Sequence, residues 1–330
     1  MNVFELITYL FSVLIYPGLT FLVVLGLLTQ WYIRKLVGRM QNRIGPKYVG
    51  FMGIAQPFAD IIKLMFVKKE LSFRHGLRSF LVIFISLGMG ALASAMLFTP
   101  ISPYLIRAPY DVILFIYLML WTTIALALIG LSLSNPFTIV GSSRFLTQVL
   151  FTEPAIVMSV LAAVIVLSKD SEIPFSIYSS LAKYSIGPMS TLVIALSLIS
   201  YIIATIAKSM LKPFDIPEAE TELAGGIFAE LSGPALALTI VIHYTELAFL
   251  NLIAVLLFLG GPYPLSYGDP LGALIITTKY VILLTAITSI RASTGRIRIE
   301  QALTAILKYP LTLSTLSLII AMLMHIKLIL

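Results

Sequence analysis

Apolar residues in this chain do not alternate with polar ones at the period of a soluble amphipathic helix. They run on in blocks of about 20 or more, the length a helix needs to cross the hydrocarbon core of a bilayer. Eight windows have this character, at 6–32, 77–99, 111–133, 146–168, 189–211, 233–260, 271–291 and 309–329. The first has no basic stretch ahead of it and is too long for a cleaved leader, so it counts as a span. The sixth is overlong for a straight crossing. The pattern therefore predicts an all-α polytopic membrane protein, a single integral domain over 1–330. Two segments on the same side of the membrane stand out, a first loop at 34–76 and an acidic loop at 208–232.

The first loop hides a different kind of helix. From Gln56 to Lys69 the apolar residues Phe58, Ile61, Ile62, Met65 and Phe66 recur at helical spacing, while Asp60, Lys63 and Lys68 fall elsewhere. Too short to span, this segment is expected to lie in the interface, with simple anchoring as its plainest use. Just before it, Gly45-Pro46 breaks any helix and holds Arg43 in a turn.

Composition agrees with the pattern. The chain has 59% apolar and 11% charged residues, where soluble domains run to about 25% charged. Its net charge of +7 reflects topology: the loops after spans one, three, five and seven gather almost all the bases, Lys208 included, and the opposite loops hold Arg107, Lys169 and Lys183. The positive-inside rule then puts the base-rich side in the cytoplasm and both termini outside, and the charge gives no reason to expect a nucleic-acid partner. There is no cysteine, which excludes disulfides and thiolate-held metals. With only His75, His243 and His325, far apart in sequence, no cofactor or metal is expected on this chain. The external loops, with Pro174 and the Gly260-Gly261-Pro262 run, leave no room for a domain.

Ionisable groups inside a bilayer are costly enough to be functional candidates. Glu153 lies within span four ahead of Pro154; its bland alternative is a structural partner for Arg144 or Gln148. Asp215, Glu218, Glu220 and Glu222 crowd the acidic loop on the side that otherwise collects bases. On one helix, Glu218 and Glu222 would share a face and repel unless they were paired or shared a proton. A solvated acidic loop is the alternative there, against which the interleaved Pro, Phe and Ile argue. Glu230 opens span six, His243 and Glu246 lie three apart within it, and Lys279 interrupts span seven. Asp111 sits near the outer end of span three. Together these groups are enough to line a wetted proton path.

These segments resemble, nearly end to end and in order, the complex I subunit 1 (H subunit) family and its homologues in energy-converting membrane-bound hydrogenases and sulfur-reducing relatives. The likeness rests on Arg34-Lys35, Gln41, Arg43 and Gly45-Pro46; on Gln56-Pro57, Asp60, Lys63-Leu64 and Lys69-Glu70; and on Ser134-Asn135, Gly141, Arg144, Gln148 and Glu153. Its most specific part is Pro213-Phe214-Asp215 with Glu218, Glu220-Thr221-Glu222-Leu223, Gly225, Glu230 and Ser232-Gly233. Thr278-Lys279, Arg291, Arg296, Arg298, Gln301, Lys308 and Pro310-Leu311 complete it.

The resemblance implies a connector subunit, not catalytic by itself, in a redox-driven ion-translocating complex of the plasma membrane. Its partners would be a peripheral arm of iron–sulfur and hydrogenase-like large subunits, antiporter-like membrane subunits, and lipid. The iron–sulfur clusters, or a nickel–iron centre, would belong to those partners. Glu153, Glu218, Glu220, Glu222, Glu230, His243, Glu246 and Lys279 would form the charge path. Arg34, Lys35, Gln41, Arg43, Asp60, Lys63, Asp215, Arg291, Arg296 and Arg298 would form the docking or redox-facing floor. Departures from the complex I pattern set the branch. Ile33 stands where that pattern has Glu, Lys208-Ser209-Met210-Leu211 replaces Glu-Thr-Asn-Arg, and His243-Tyr244 replaces Glu-Tyr. These lean toward a hydrogenase or sulfur-reducing type of complex. The alternative is the quinone-chamber subunit of a respiratory complex I, which would bring quinone to this chain. A stand-alone secondary transporter ranks below both, since no internal repeat is visible.

Overall fold

The computed structural model describes residues 3–69, 77–104, 106–133, 135–168, 175–182 and 187–326, with the side chains of Val3, Leu77, Arg78, Ala182, Glu220 and Thr221 left out. Glu70, His75, Ser134, Lys169, Pro174 and Lys183 lie outside the described residues, as does the charge-path assignment of the Glu220 side chain.

Every regular element among the described residues is helical: α1 (Val3–Leu14), α2 (Leu19–Met40), α3 (Gln56–Ile62), α4 (Leu77–Ala95), α5 (Asp111–Ser132), α6 (Pro136–Leu167), α7 (Ile177–Ala182), α8 (Pro188–Lys208), α9 (Glu220–Leu223), α10 (Gly233–Leu257), α11 (Pro270–Ser293), α12 (Ile299–Ile306) and α13 (Thr312–His325). Eight helical stretches are long and apolar enough to span a bilayer. They coincide with the eight windows of the sequence, with instructive differences at the ends.

The first span breaks at Tyr16-Pro17-Gly18, where proline ends α1 and α2 restarts to run eight residues beyond the apolar window, to Met40. The fourth begins ten residues before its window. Asn135 accepts a hydrogen bond from the Phe137 amide at 2.9 Å, and Pro136 occupies the first turn, so the chain enters the helix there. At 32 residues, α6 is about 48 Å long against a hydrocarbon core of about 30 Å. Its first turns therefore project from the bilayer and carry Arg144 to the loop side. The eighth span begins at α12 and passes Pro310 through a π turn, Leu307–Leu311, before α13.

The amphipathic segment is helical as expected, but its apolar face splits. Ile61 packs with Leu27 and Ala237, whereas Ile62 and Phe66 point outward at 57% and 79% exposure. Ile62 is one residue round the helix from Ile61 and so faces away from it, and a π turn over Lys63–Val67, with its wider winding, shifts the register of the residues after Ile62, Phe66 among them.

In the middle of the bundle stands α10. The core window of this helix is 83% buried, which explains why its sequence is apolar all round rather than on one stripe. It packs on α2, α4, α8 and α11, while α6 packs on α5, α8 and α13. Deep between α6, α8 and α10, the ionisable groups Glu153, Lys208 and Glu246 thus have one another as charged neighbours.

Candidate functional site

Three such groups meet between these helices. Lys208, in the last turn of α8, turns its stem inward and is 1% exposed. Its Nζ lies 2.7 Å from Glu153 Oε1 on α6 and 3.3 Å from Glu246 Oε1 on α10. From α5, Thr122 donates to Glu246 at 2.8 Å, and Thr123 reaches Glu153 at 2.9 Å and Glu246 at 3.2 Å. The Tyr201 hydroxyl beside them donates to the Leu250 carbonyl at 3.0 Å. Two carboxylates and one ammonium are out of water together, an arrangement tolerable only because each charge has a close partner. Pro154 follows Glu153 within α6 and removes one backbone donor from the helix ladder.

Below this cluster, the ends of α2, α8, α10 and α11 enclose a cavity of about 280 Å³, lined by Gln30, Met210, Leu211, Glu218, Phe228, Leu236, Ile240, His243, Tyr244 and Arg291. Its walls are mostly apolar. The buried His243 Nδ1 and Gln30 Oε1 have no hydrogen-bond partner. Arg291 also lines a neighbouring cavity of about 330 Å³ with Ile33, Arg34, Arg43, Gln56 and Asp60. There Asp60 accepts from Arg34 at 3.0 Å and from Gln56 at 2.8 Å.

The acidic loop is folded against the bases around it. Gln148 donates from Nε2 to the carbonyls of Ala207 (2.6 Å) and Phe214 (3.1 Å), tying the end of α8 to the loop. Arg144 meets Glu222 at 2.7 Å, and Arg296 lies 3.7 Å from both Asp215 and Glu222. The Arg144 hydrogen bond, with Arg296 adding its charge, holds the Glu222 carboxyl below its ordinary value. Gly226, at φ +53°, lets the loop double back, because a Cβ there would run into the Pro217 carbonyl.

Against the sequence reading, the structure joins some residues and separates others. Glu153 and Glu246 come together, whereas His243 opens onto the cavity instead. Glu218 and Glu222 do not share a helix face, since α9 begins only at Glu220; one lines the cavity and the other pairs with arginines. Glu230 lies just before α10 with a buried, unpartnered Oε2. Lys279 does not join the acids. It donates to the carbonyls of Leu259 (2.8 Å), Gly261 (2.8 Å) and Tyr263 (3.1 Å), fastening the turn between α10 and α11. Lys35 likewise holds the first loop, through Pro46 and Met52 carbonyls at 2.7 and 3.1 Å. Gln41 caps the end of α2, Lys63 is exposed, and Arg298 precedes α12, its amide donating to Gln301 at 3.2 Å. Asp111 accepts from Ser176 and from the Ile177 amide at the start of α7.

Lys208 is the residue the sequence reading misplaced. Its position at the end of an apolar span put it with the base-rich loops, yet its side chain is interior. A lysine there could reach outward to water or inward to an acid with equal ease. The one signal in the sequence is that Glu153 and Glu246 lie in the fourth and sixth apolar windows, neither of which carries a lysine or arginine of its own.

Comparison with known proteins gives a consistent likeness. A family profile described as NADH dehydrogenase matches residues 12–322. NADH-ubiquinone oxidoreductase chain 1 of Paracentrotus lividus is 28% identical over 299 residues, covering 89% of each chain. The H subunit of the NADH-quinone oxidoreductase of Brevibacillus brevis is 28% identical over 285 residues, covering 84% of this chain and 83% of that one. Among solved structures, a chain of the membrane-bound sulfane sulfur reductase, an archaeal respiratory membrane complex, aligns with a TM-score of 0.78 at 25% identity. That alignment covers 95% of this chain and 99% of the other.

Proposed function

This chain belongs to the NADH dehydrogenase family of membrane subunits, and from that premise we propose that it is the connector subunit of a redox-driven, ion-translocating oxidoreductase complex. It docks a peripheral iron–sulfur arm on its base-rich face and passes protonation changes into the membrane. The observation that carries this reading is the buried Glu153–Lys208–Glu246 cluster, set within the membrane above a floor of paired charges. At an effective dielectric constant of about 20, two charges 4 Å apart interact by about 4 kcal/mol, close to three pKa units. A charge change at the floor is thus large enough to move a proton between neighbouring carboxylates without large backbone motion.

The likeness to the sulfane sulfur reductase chain, with leucine at position 211 and lysine at 208, supports a sulfur-reducing or hydrogenase type of complex. The base-rich face is assigned to the cytoplasm and both termini to the outside of the plasma membrane. Partners in this reading are iron–sulfur and hydrogenase-like large subunits and antiporter-like membrane subunits.

Purification of the complex through a tag on this chain, followed by reconstitution, tests the proposal. Iron–sulfur subunits should copurify, and Glu153→Gln or Glu222→Gln should assemble yet move fewer ions per electron. Full ion movement by both assembled variants would refute the relay. A second reading, a quinone-reducing complex, is favoured by the apolar-walled cavity with its unpartnered His243 Nδ1 and Gln30 Oε1. Quinone reductase activity blocked by site-competing inhibitors is its signature, and sulfur-reductase activity insensitive to them is that of the first reading.

A further inference from the structure

Two carboxylates compete for one ammonium and one hydroxyl proton. Lys208 Nζ is 2.7 Å from Glu153 Oε1 and 3.3 Å from Glu246 Oε1. Thr123, with a single proton to give, lies 2.9 and 3.2 Å from the same two atoms in the same order. Thr122 donates to Glu246 at 2.8 Å and so compensates the carboxylate that holds the ammonium less closely. Exchanging the nearer partner for the farther one takes a shift of about 0.6 Å at the tip of a flexible four-carbon stem. Tyr201 also faces the cluster, but its proton is committed to the Leu250 carbonyl. Among the described residues, no second cation lies within ion-pairing distance of either glutamate. With Lys208 charged, the cluster is neutral when one glutamate holds a proton and carries a charge of −1 when neither does.

We infer that Lys208 is a positioning residue that switches between Glu153 and Glu246, so that a proton taken up by one carboxylate hands the ammonium to the other. When a hydronium proton bonds to Glu246, that carboxylate loses its charge. The ammonium then closes on Glu153, and Thr123 turns with it. When the proton leaves Glu246 for water, the ammonium is shared again. Only an O–H bond forms and breaks, Lys208 keeps its own protons throughout, and no electron passes through the cluster. The inference rests on the relay reading above and adds to it the identity of the moving charge.

The complex in proteoliposomes provides the test, read as ions translocated per electron. Lys208→Arg keeps the positive charge, but its planar fork can hold both carboxylates at once and fix them ionised. Glu246→Gln removes the competitor and leaves a neutral Glu153–Lys208 pair. Each variant is expected to lower the ion-to-electron ratio at least tenfold. In the wild-type complex, the reduced-minus-oxidised infrared difference spectrum should contain a protonated-carboxyl band that Glu246→Gln removes. A wild-type ratio in either assembled variant would make Lys208 a fixed counter-ion and overturn the switch. Should neither variant assemble, absence of the carboxyl band from the wild-type spectrum would overturn it equally. A wild-type complex that moves no ions at all would instead defeat the relay reading itself.

Discussion

Substituting Lys208 by methionine removes the ammonium and keeps nearly the same volume. Glu153 Oε1 and Glu246 Oε1 both lie within 3.3 Å of the same nitrogen, so they are at most about 6 Å apart. With an effective dielectric constant near 20, two negative charges at that distance repel by about 3 kcal/mol. Stripping one partner from a buried pair costs about 3–5 kcal/mol in general, because the charge left behind has no compensation. Lys208→Met should therefore lose about 3–5 kcal/mol, a fall on the order of 5–10 °C in melting temperature, followed by intrinsic fluorescence of the detergent-solubilised protein. Neutralising both carboxylates in the same chain (Lys208→Met with Glu153→Gln and Glu246→Gln) should recover most of that loss. Glu246→Gln alone leaves a 2.7 Å pair intact and should stay within about 1 kcal/mol of wild type, the size of one net hydrogen bond. If Lys208→Met melts with the wild type, or the triple variant melts as low as the single one, the electrostatic account of the cluster is wrong.

Three further outcomes follow from the same geometry. Gln148→Leu leaves the Ala207 and Phe214 carbonyls without their donor, at a cost of about 1–3 kcal/mol. Limited proteolysis should then cut the 212–232 loop faster, and an unchanged digestion rate would exclude this tie. Lys279→Met frees three carbonyls on the far turn; it should lower the melting temperature but leave the ion-to-electron ratio of the complex intact, and a lost ratio would return Lys279 to the charge path. Glu222 has a depressed pKa when folded, owing first to Arg144 and then to Arg296. Its pairing is thus complete above the ordinary carboxylate value and lost as pH falls through the lower folded one. Hydrogen exchange across 216–223 should quicken in that acidic window, and Glu222→Gln should abolish the dependence.

Much of this molecule is written locally. Whether a stretch can cross a bilayer depends on its own hydropathy and length, so eight spans and a short helix in the first loop are legible without any tertiary knowledge. The ends are less so. The last turns of α2, from Ile33 to Met40, follow from the continuing helix and not from where apolarity stops. Arg34 and Lys35 ride on those turns because their partners, Asp60 and the Pro46 carbonyl, lie in the folded first loop.

The inventory of costly charges was equally plain, since Glu153, Glu246 and the acids of the 208–232 loop are exceptional wherever they point. Sequence alone could not say who pairs with whom. Glu153, Lys208 and Glu246 sit on three helices, and only the packing of α6, α8 and α10 brings both carboxylates within 3.3 Å of the one ammonium. Elsewhere the fold of the α10–α11 turn brings Lys279 to three carbonyls, and the start of α9 at Glu220 separates Glu218 from Glu222. Hydropathy is a property of each segment, and it fixed the crossings. Ion pairing is a property of distance between segments, and it was decided by how the helices stack.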